Sequence, residues 1–364
     1  MKLKLLLMYL FLGCIAGTGF CAEFMIGADI SALGYHEEAG TLYRDKDGPD
    51  DLIEILKDNG FNTARLRIFV NPQKKGTVVN DLPYTLNLAK RAKDCGMEVL
   101  LNFHYSDTWA DPQKQIKPKA WAEMSFEELR KTVESYTASV MKAFKDADVL
   151  PEMVQIGNEI TPGMLWPDGK VGGEYDNDNQ WEKFATLIKA GIAGVRQADP
   201  EGDVKIMIHI DKGASKKVCQ WFFTRLNKNQ VPYDIIGISY YPWWHGTMEG
   251  LEENLNYIAT ELKKDVVVVE TAYHHADNEL YERVQEPPFP QTPQGQRDFL
   301  YALTKMVLKA PDDRGRGVCY WYPESVAVNR RIWMNGHVAL FDSNGKTLPS
   351  VRAFADAVGS EDKK

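Results

Sequence analysis

Short apolar and β-branched runs recur along the chain, each bounded by polar or glycine-containing segments. They fall at 24–30, 63–70, 98–104, 153–157, 204–210, 235–241, 266–271 and 317–321. Several are almost entirely apolar, Val266-Val267-Val268-Val269 above all, which suits strands buried on both faces of a parallel sheet. Helical periodicity fills the intervals. The stretch 50–59 carries Leu52, Ile55 and Leu56 on one stripe and stops at Gly60. Ser125-Phe126-Glu127-Glu128 reads as a capping box opening a helix that runs to about Lys145. Similar spacing marks 179–197 and 295–309. Eight strand–helix units without a compositional break predict an α/β fold, a single (β/α)8 TIM barrel, over residues 22–358. An open doubly wound sheet would place a glycine-rich phosphate turn after its first strand, and Gly27-Ala28-Asp29-Ile30-Ser31 is not one.

Residues 1–21 stand apart from this pattern. Lys2 and Lys4 precede an apolar run from Leu5 to Ile15 and then small residues, the organisation of a signal peptide cleaved near Cys21 or Ala22. Cys14 after Leu12-Gly13 offers an alternative lipid-attachment point, although Phe11 fits such a signal poorly. Either route predicts an exported protein with no transmembrane segment, secreted, periplasmic or held at the cell surface. The three cysteines beyond residue 22 (Cys95, Cys219 and Cys319) form no CxxC pair and read as buried thiols. Residues 359–364 read as a polar tail, and nothing in the pattern calls for more than a monomer.

Composition narrows the partner. A net charge of −8, with 51 acidic against 43 basic residues, argues against nucleic acid and against a polybasic membrane patch. With 9 Trp, 16 Tyr and 15 Phe, the chain suits a neutral hydroxylated ligand better than a phosphate.

In a barrel, chemistry gathers at the C-terminal ends of the strands. Those ends read, in order, Asp29, Arg67, His104, Asn158-Glu159, His209 with Asp211, Tyr240-Tyr241, Glu270 and Trp321. Any one of them is readily structural; eight in succession predict a site. Glu159 and Glu270 close the fourth and seventh strands and are expected to face one another across the mouth. Glycosidic bond hydrolysis requires such a pair, one carboxyl protonating the leaving oxygen and the other attacking or activating water at the anomeric carbon. The structural alternative is that both are ion-pair partners of Arg67 or another base. On the catalytic reading, Asn158 binds a sugar 2-hydroxyl, Tyr240 donates to Glu270, and Arg67 lowers the pKa of Glu270. Glu159 then needs a less polar setting that keeps it protonated. Trp109, Trp243, Trp244 and Trp321 lie at or just beyond strand ends, where an indole face can stack on a sugar ring or simply pack.

Several stretches carry a resemblance: Gly27-Ala28-Asp29-Ile30-Ser31, Asn62-Thr63-Ala64-Arg65-Leu66-Arg67, the run His104-Tyr105-Ser106-Asp107-Thr108-Trp109-Ala110-Asp111-Pro112, Gln155-Ile156-Gly157-Asn158-Glu159, Ser239-Tyr240-Tyr241-Pro242, Glu270-Thr271-Ala272-Tyr273 and Tyr320-Trp321-Tyr322-Pro323. In these the chain resembles the endo-β-1,4-galactanases of glycoside hydrolase family 53. The run from His104 to Pro112 is the narrowest of them, and it adds Asp107 and Trp109 to the supporting set. The resemblance implies Glu159 as acid/base, Glu270 as nucleophile and net retention of configuration, with the carboxyl groups about 5–5.5 Å apart. It also implies β-1,4-galactan, as in type I arabinogalactan and pectin side chains, as the polysaccharide cut within its chain. A β-glucan or β-mannan substrate, or a non-catalytic glycan-binding barrel, are the alternatives.

No cofactor is expected. Some bacterial relatives hold calcium after strand seven, but Thr271-Ala272-Tyr273-His274-His275-Ala276-Asp277-Asn278-Glu279 departs from their arrangement. The prolines at 287, 288, 290 and 293 predict a rigid loop at one end of the cleft. His36-Glu37-Glu38 lacks a second zinc-protease histidine, and Asp176-Asn177-Asp178-Asn179 lacks the glycine of a calcium loop. A Gly-x-Ser-x-Gly nucleophile turn is absent too.

Overall fold

A computed structural model of the protein describes residues 23–46, 48–279, 286–326 and 332–360. The expected leader, including Cys14, and residues 361–364 lie outside them.

Eight parallel strands close into a barrel: β1 (Met25–Asp29), β2 (Thr63–Ile68), β3 (Glu98–Phe103), β4 (Met153–Ile156), β5 (Lys205–Ile210), β6 (Ile235–Tyr240), β7 (Asp265–Thr271) and β8 (Gly315–Trp321). Closure is made by β1, which pairs with β8 on one side and β2 on the other. The principal helices follow their strands: α1 (Leu52–Asp58), α2 (Leu82–Asp94), α3 (Phe126–Asp146), α4 (Asp178–Ala198), α5 (Lys216–Lys228), α6 (Met248–Tyr257), α7 (Pro293–Leu308) and α8 (Ala353–Gly359). Every expected strand is present, with ends shifted by at most two residues. The capping box opens α3 as expected, with Ser125 and Glu128 satisfying each other's backbone N–H groups.

Strand parity divides the molecule into two cores. Met25, Leu100, Met207, Ile235, Val267, Val269 and Cys319 fill the barrel interior, while Ala64, Leu66, Val99, Leu101, Ile236, Ile238, Val266 and Val268 pack outward against the helices. The interior tolerates little extra volume. A Cβ on Gly237 would lie 2.7 Å from Met207 Sδ. Continuing the inward parity toward the strand C-termini reaches Asp29, Arg65, Arg67, Asn102, His104, Gln155, His209, Ser239, Tyr241 and Trp321, all buried. The apolar plug thus ends in a polar layer at the mouth.

The acidic stretch before α4 is spent on structure. Asn177 caps the helix by accepting from the Gln180 amide, Asp178 pairs with Arg225 and Lys228, and Asp176 accepts from the indole N–H groups of Trp181 and Trp221. Likewise Glu37 pairs with Arg91. Cys219 and Cys319 are buried, Cys95 half-buried, and all three are free. No helix among the described residues is long and apolar enough to cross a membrane.

Candidate active site

Arg65 holds the centre of the polar layer. Its Nη1 lies 3.0 Å from Asp29 Oδ2 and 2.9 Å from Glu270 Oε1, and its Nη2 donates to Gln155 Oε1 and Asn158 Oδ1. A buried guanidinium of this kind needs several acceptors to offset the loss of water. Arg67, the arginine expected beside Glu270, is one turn of the pleat higher. It reaches only Asp29 Oδ1, at 3.5 Å, donates to Thr77 O, and lies 4.2 Å from the Trp109 ring centroid. The expectation for Arg67 therefore passes to Arg65.

A bulge sets Glu270. Between β6 and β7, Ile238 pairs with Val268 but Ser239 pairs with Glu270, so one extra residue enters β7 at Val269. Strict alternation would turn Glu270 away from the side that Val269 faces; the bulge brings both to the interior. Tyr241 donates to Glu270 Oε2 across 3.2 Å. Tyr240, the expected donor, has outward parity: it stacks on Phe299 and donates to Gly246 O. Burial raises the pKa of Glu270, against the expected lowering; Arg65 and the Tyr241 hydrogen bond oppose the rise.

Glu159 follows β4 with φ 48°, in the left-handed region that non-glycine residues rarely adopt. That turn places its amide on His209 Nδ1 and its Oε1 on the Ser239 hydroxyl, which donates across 2.7 Å. Because His209 Nδ1 accepts, Nε2 carries the proton and donates to Ser239 Oγ at 2.8 Å. Burial and the two arginines keep His104 neutral, as burial and Arg65 do His209. Loss of hydration, then the negative charges of Glu270 and Asp211, push Glu159 well above the ordinary carboxylate range. A carboxylate oxygen of Glu159 and one of Glu270 lie within 4.8 Å of each other. Arg65 and Tyr241 steady the charge on Glu270, so of the two carboxyls Glu159 is the one that keeps a proton.

The remaining expected residues divide. Asn158 presents Oδ1 to Arg65 and Asn102 and donates an Nδ2 hydrogen to Ala110 O. His104 Nδ1 accepts from the Ala110 amide. Asp211 accepts from Thr161 and pairs with Lys212. Trp109 and Trp321 meet edge to face. Asp107 instead ties loops, accepting from the Asn71 and Lys119 amides. Trp243 is fully buried against His274 and cannot stack on a ligand, whereas Trp244 is 49% exposed. Arg65, Ser239, Gln155 and Asn102 were not among the expected site residues, and Tyr241 stood among the strand ends without a role; inward parity along their strands would have found all five.

Glu159, His209 and Glu270 bring possible ligand atoms for a metal within 4.8 Å of one another. They suit an ion poorly: Arg65 already supplies the positive charge at Glu270, and both His209 nitrogens are engaged. In the loop after β7, His275 faces Gly336 O, His337 faces Asp277 O, and His274 meets Asn278. Burial pushes His274 down to about 3. The proline-rich loop is tethered by Tyr273, whose hydroxyl donates to Phe289 O and accepts from its amide.

Comparison with known proteins gives a match to the model described as glycosyl hydrolase family 53, over residues 25–354. The chain belongs to glycosyl hydrolase family 53. An uncharacterized protein of Niallia circulans is 43% identical, covering 93% of this chain and 95% of that one. The arabinogalactan endo-β-1,4-galactanase of Cellvibrio japonicus is 34% identical, with 94% of each chain covered. Among solved structures, the family 53 catalytic domain of Ignisphaera aggregans superposes with a TM-score of 0.84 at 35% identity, covering 93% of this chain and 98% of that one. As a family 53 member the protein is a glycoside hydrolase on a (β/α)8 barrel.

Proposed function

We propose that the protein is an exported endo-β-1,4-galactanase that cuts internal bonds of type I arabinogalactan with retention of configuration. The observation that carries the mechanism is the Glu159–Glu270 pair, with carboxylate oxygens within 4.8 Å; burial raises both, and Arg65 and the Tyr241 hydrogen bond oppose the rise at Glu270. A closest approach of that size is in keeping with the roughly 5–5.5 Å of retaining enzymes and falls short of the about 6.5–9.5 Å of inverting pairs. In the first step Glu159 gives its proton to the glycosidic oxygen, the bond from that oxygen to the anomeric carbon breaks, and Glu270 bonds to the carbon from the opposite face. In the second, water attacks the same carbon, Glu159 takes its proton, and Glu270 leaves as carboxylate. Asn158 is placed to hold the 2-hydroxyl, and Trp109, Trp321 and Trp244 to meet sugar faces. His104, His209 and Asp211 orient the pair. No cofactor enters either step.

The substrate rests on the galactanase relatives, and export on residues 1–21. The test is product analysis on debranched β-1,4-galactan beside cellulose and mannan, for the wild type and Glu270→Ala, with the anomer of the first product followed by NMR. Short β-anomeric galacto-oligosaccharides from galactan alone, lost in the variant, support the reading. Intact galactan beside a degraded second glycan would replace the substrate and keep the chemistry.

A further inference from the structure

A hollow of about 490 Å³ opens beside the loop after β4, lined by Thr161, Trp166, Lys170, Gly172, Tyr175 and Trp221 among others. We propose that it is a distal binding site for a neutral sugar ring of the substrate, on the leaving-group side of the scissile bond. The inference rests on Glu159 being the acid, as proposed above, and adds a contact remote from the two carboxylates.

Direction comes from the chain itself. Thr161 and Pro162, two and three positions after Glu159, line the hollow, which sets it on the side of the acid and hence of the leaving group. Thr161 is also the residue that grips Asp211, so one wall is shared with the mouth. The hollow lies between the loop after β4 and Trp221 of α5.

Its chemistry fits a sugar. Three half-buried aromatic rings line it, and the indole N–H groups of two are satisfied elsewhere: Trp166 Nε1 donates to Pro162 O and Trp221 Nε1 to Asp176. Lys170 covers one face of Trp166 and one of Tyr175, and the ring surface left beside it in the lining of the hollow is of the kind that the C–H side of a pyranose covers. Lys170 Nζ lies 4.6 Å from the centroids of both Trp166 and Tyr175, a donor fixed among the rings, and Glu174 supplies an acceptor. The opposite charges of Lys170 and Glu174 favour a neutral hydroxylated group over an anion.

The test compares Tyr175→Ala with Tyr175→Phe on two substrates, long debranched galactan and an aryl β-galactobioside whose leaving group is only the aryl ring. Tyr175 is chosen because Trp221 also packs on Trp181 and its loss could disturb folding. Tyr175→Ala is expected to lower kcat/KM on galactan about five- to tenfold, mainly through KM, with the aryl substrate unchanged and Tyr175→Phe close to wild type. Equal losses on both substrates would make Tyr175 merely structural, and an unchanged galactan rate would leave the hollow without a sugar; either overturns the proposal. A wild type that cuts neither substrate would sink the galactanase reading instead. Calorimetric titration of galacto-oligosaccharides then decides the hollow: weaker binding to Tyr175→Ala than to wild type upholds it, and equal binding overturns it.

Discussion

The Ser239 hydroxyl donates to Glu159 Oε1 while accepting from His209 Nε2, so a neutral imidazole on one strand aims a carboxyl on another. A hydrogen bond to the carboxylate favours its charged form, and Ser239 therefore partly restrains the upward shift that burial and Glu270 impose. Ser239→Ala is expected to move the basic limb of the kcat/KM profile to higher pH and to lower kcat at neutral pH. A basic limb that stays in place or moves down would show that the hydroxyl does not act on Glu159.

Arg65 and Arg67 make separable predictions. Arg65→Met strands the buried carboxylates of Asp29 and Glu270 and should cost about 3–5 kcal/mol of unfolding free energy. Glu270 loses its opposing charge, so the acid limb of the rate profile moves up. Arg67→Met, which leaves the Arg65–Glu270 contact intact, should leave that limb where it was. Denaturant melts and pH–rate profiles of the two variants check both statements.

Two adjacent tyrosines should behave differently. Tyr241→Phe removes a hydrogen bond to a charged acceptor and is expected to lower kcat on the order of 10- to 100-fold. Tyr240→Phe removes only the bond to Gly246 O and should cost about 1 kcal/mol of stability with kcat unchanged. Steady-state kinetics on the pair decides between them.

Glu324 is fully buried beside Asp29 and accepts from the Ala32 amide, and burial pushes its pKa up to about 8. A carboxyl raised on folding binds its proton more tightly in the folded chain. Its contribution is complete below the ordinary carboxylate range and is lost as pH rises toward about 8. Stability should fall across that window at up to about 1.4 kcal/mol per pH unit, and Glu324→Gln should flatten the fall. Thermal melts from pH 5 to 8 measure the slope, and an unchanged slope in the variant would assign it to another group.

The barrel was legible because its signal is repeated: buried strands, helix caps and polar strand ends each recur along the chain. The two glutamates were legible because each terminates an apolar run. Their partners were not, since choosing Tyr241 over Tyr240 requires the face of β6, and that face is fixed by Ile235 and Ser239 rather than by proximity to the strand end. Arg65 and Arg67 share a face, so parity alone does not separate them; depth in the barrel does. The burial of Trp243 depends on His274 and Trp333, contributed by other loops and invisible to any local pattern.

The extra residue in β7 has a stereochemical meaning. One residue of strand spans about 3.3 Å, while the spans that separate retaining from inverting pairs differ by about 1–4 Å. Deleting Val269 would leave both glutamates in the sequence yet remove the bulge on which the present placement of Glu270 rests. On the mechanism proposed above, the carboxyl separation that sets the anomer of the released sugar depends in part on the length of this one strand.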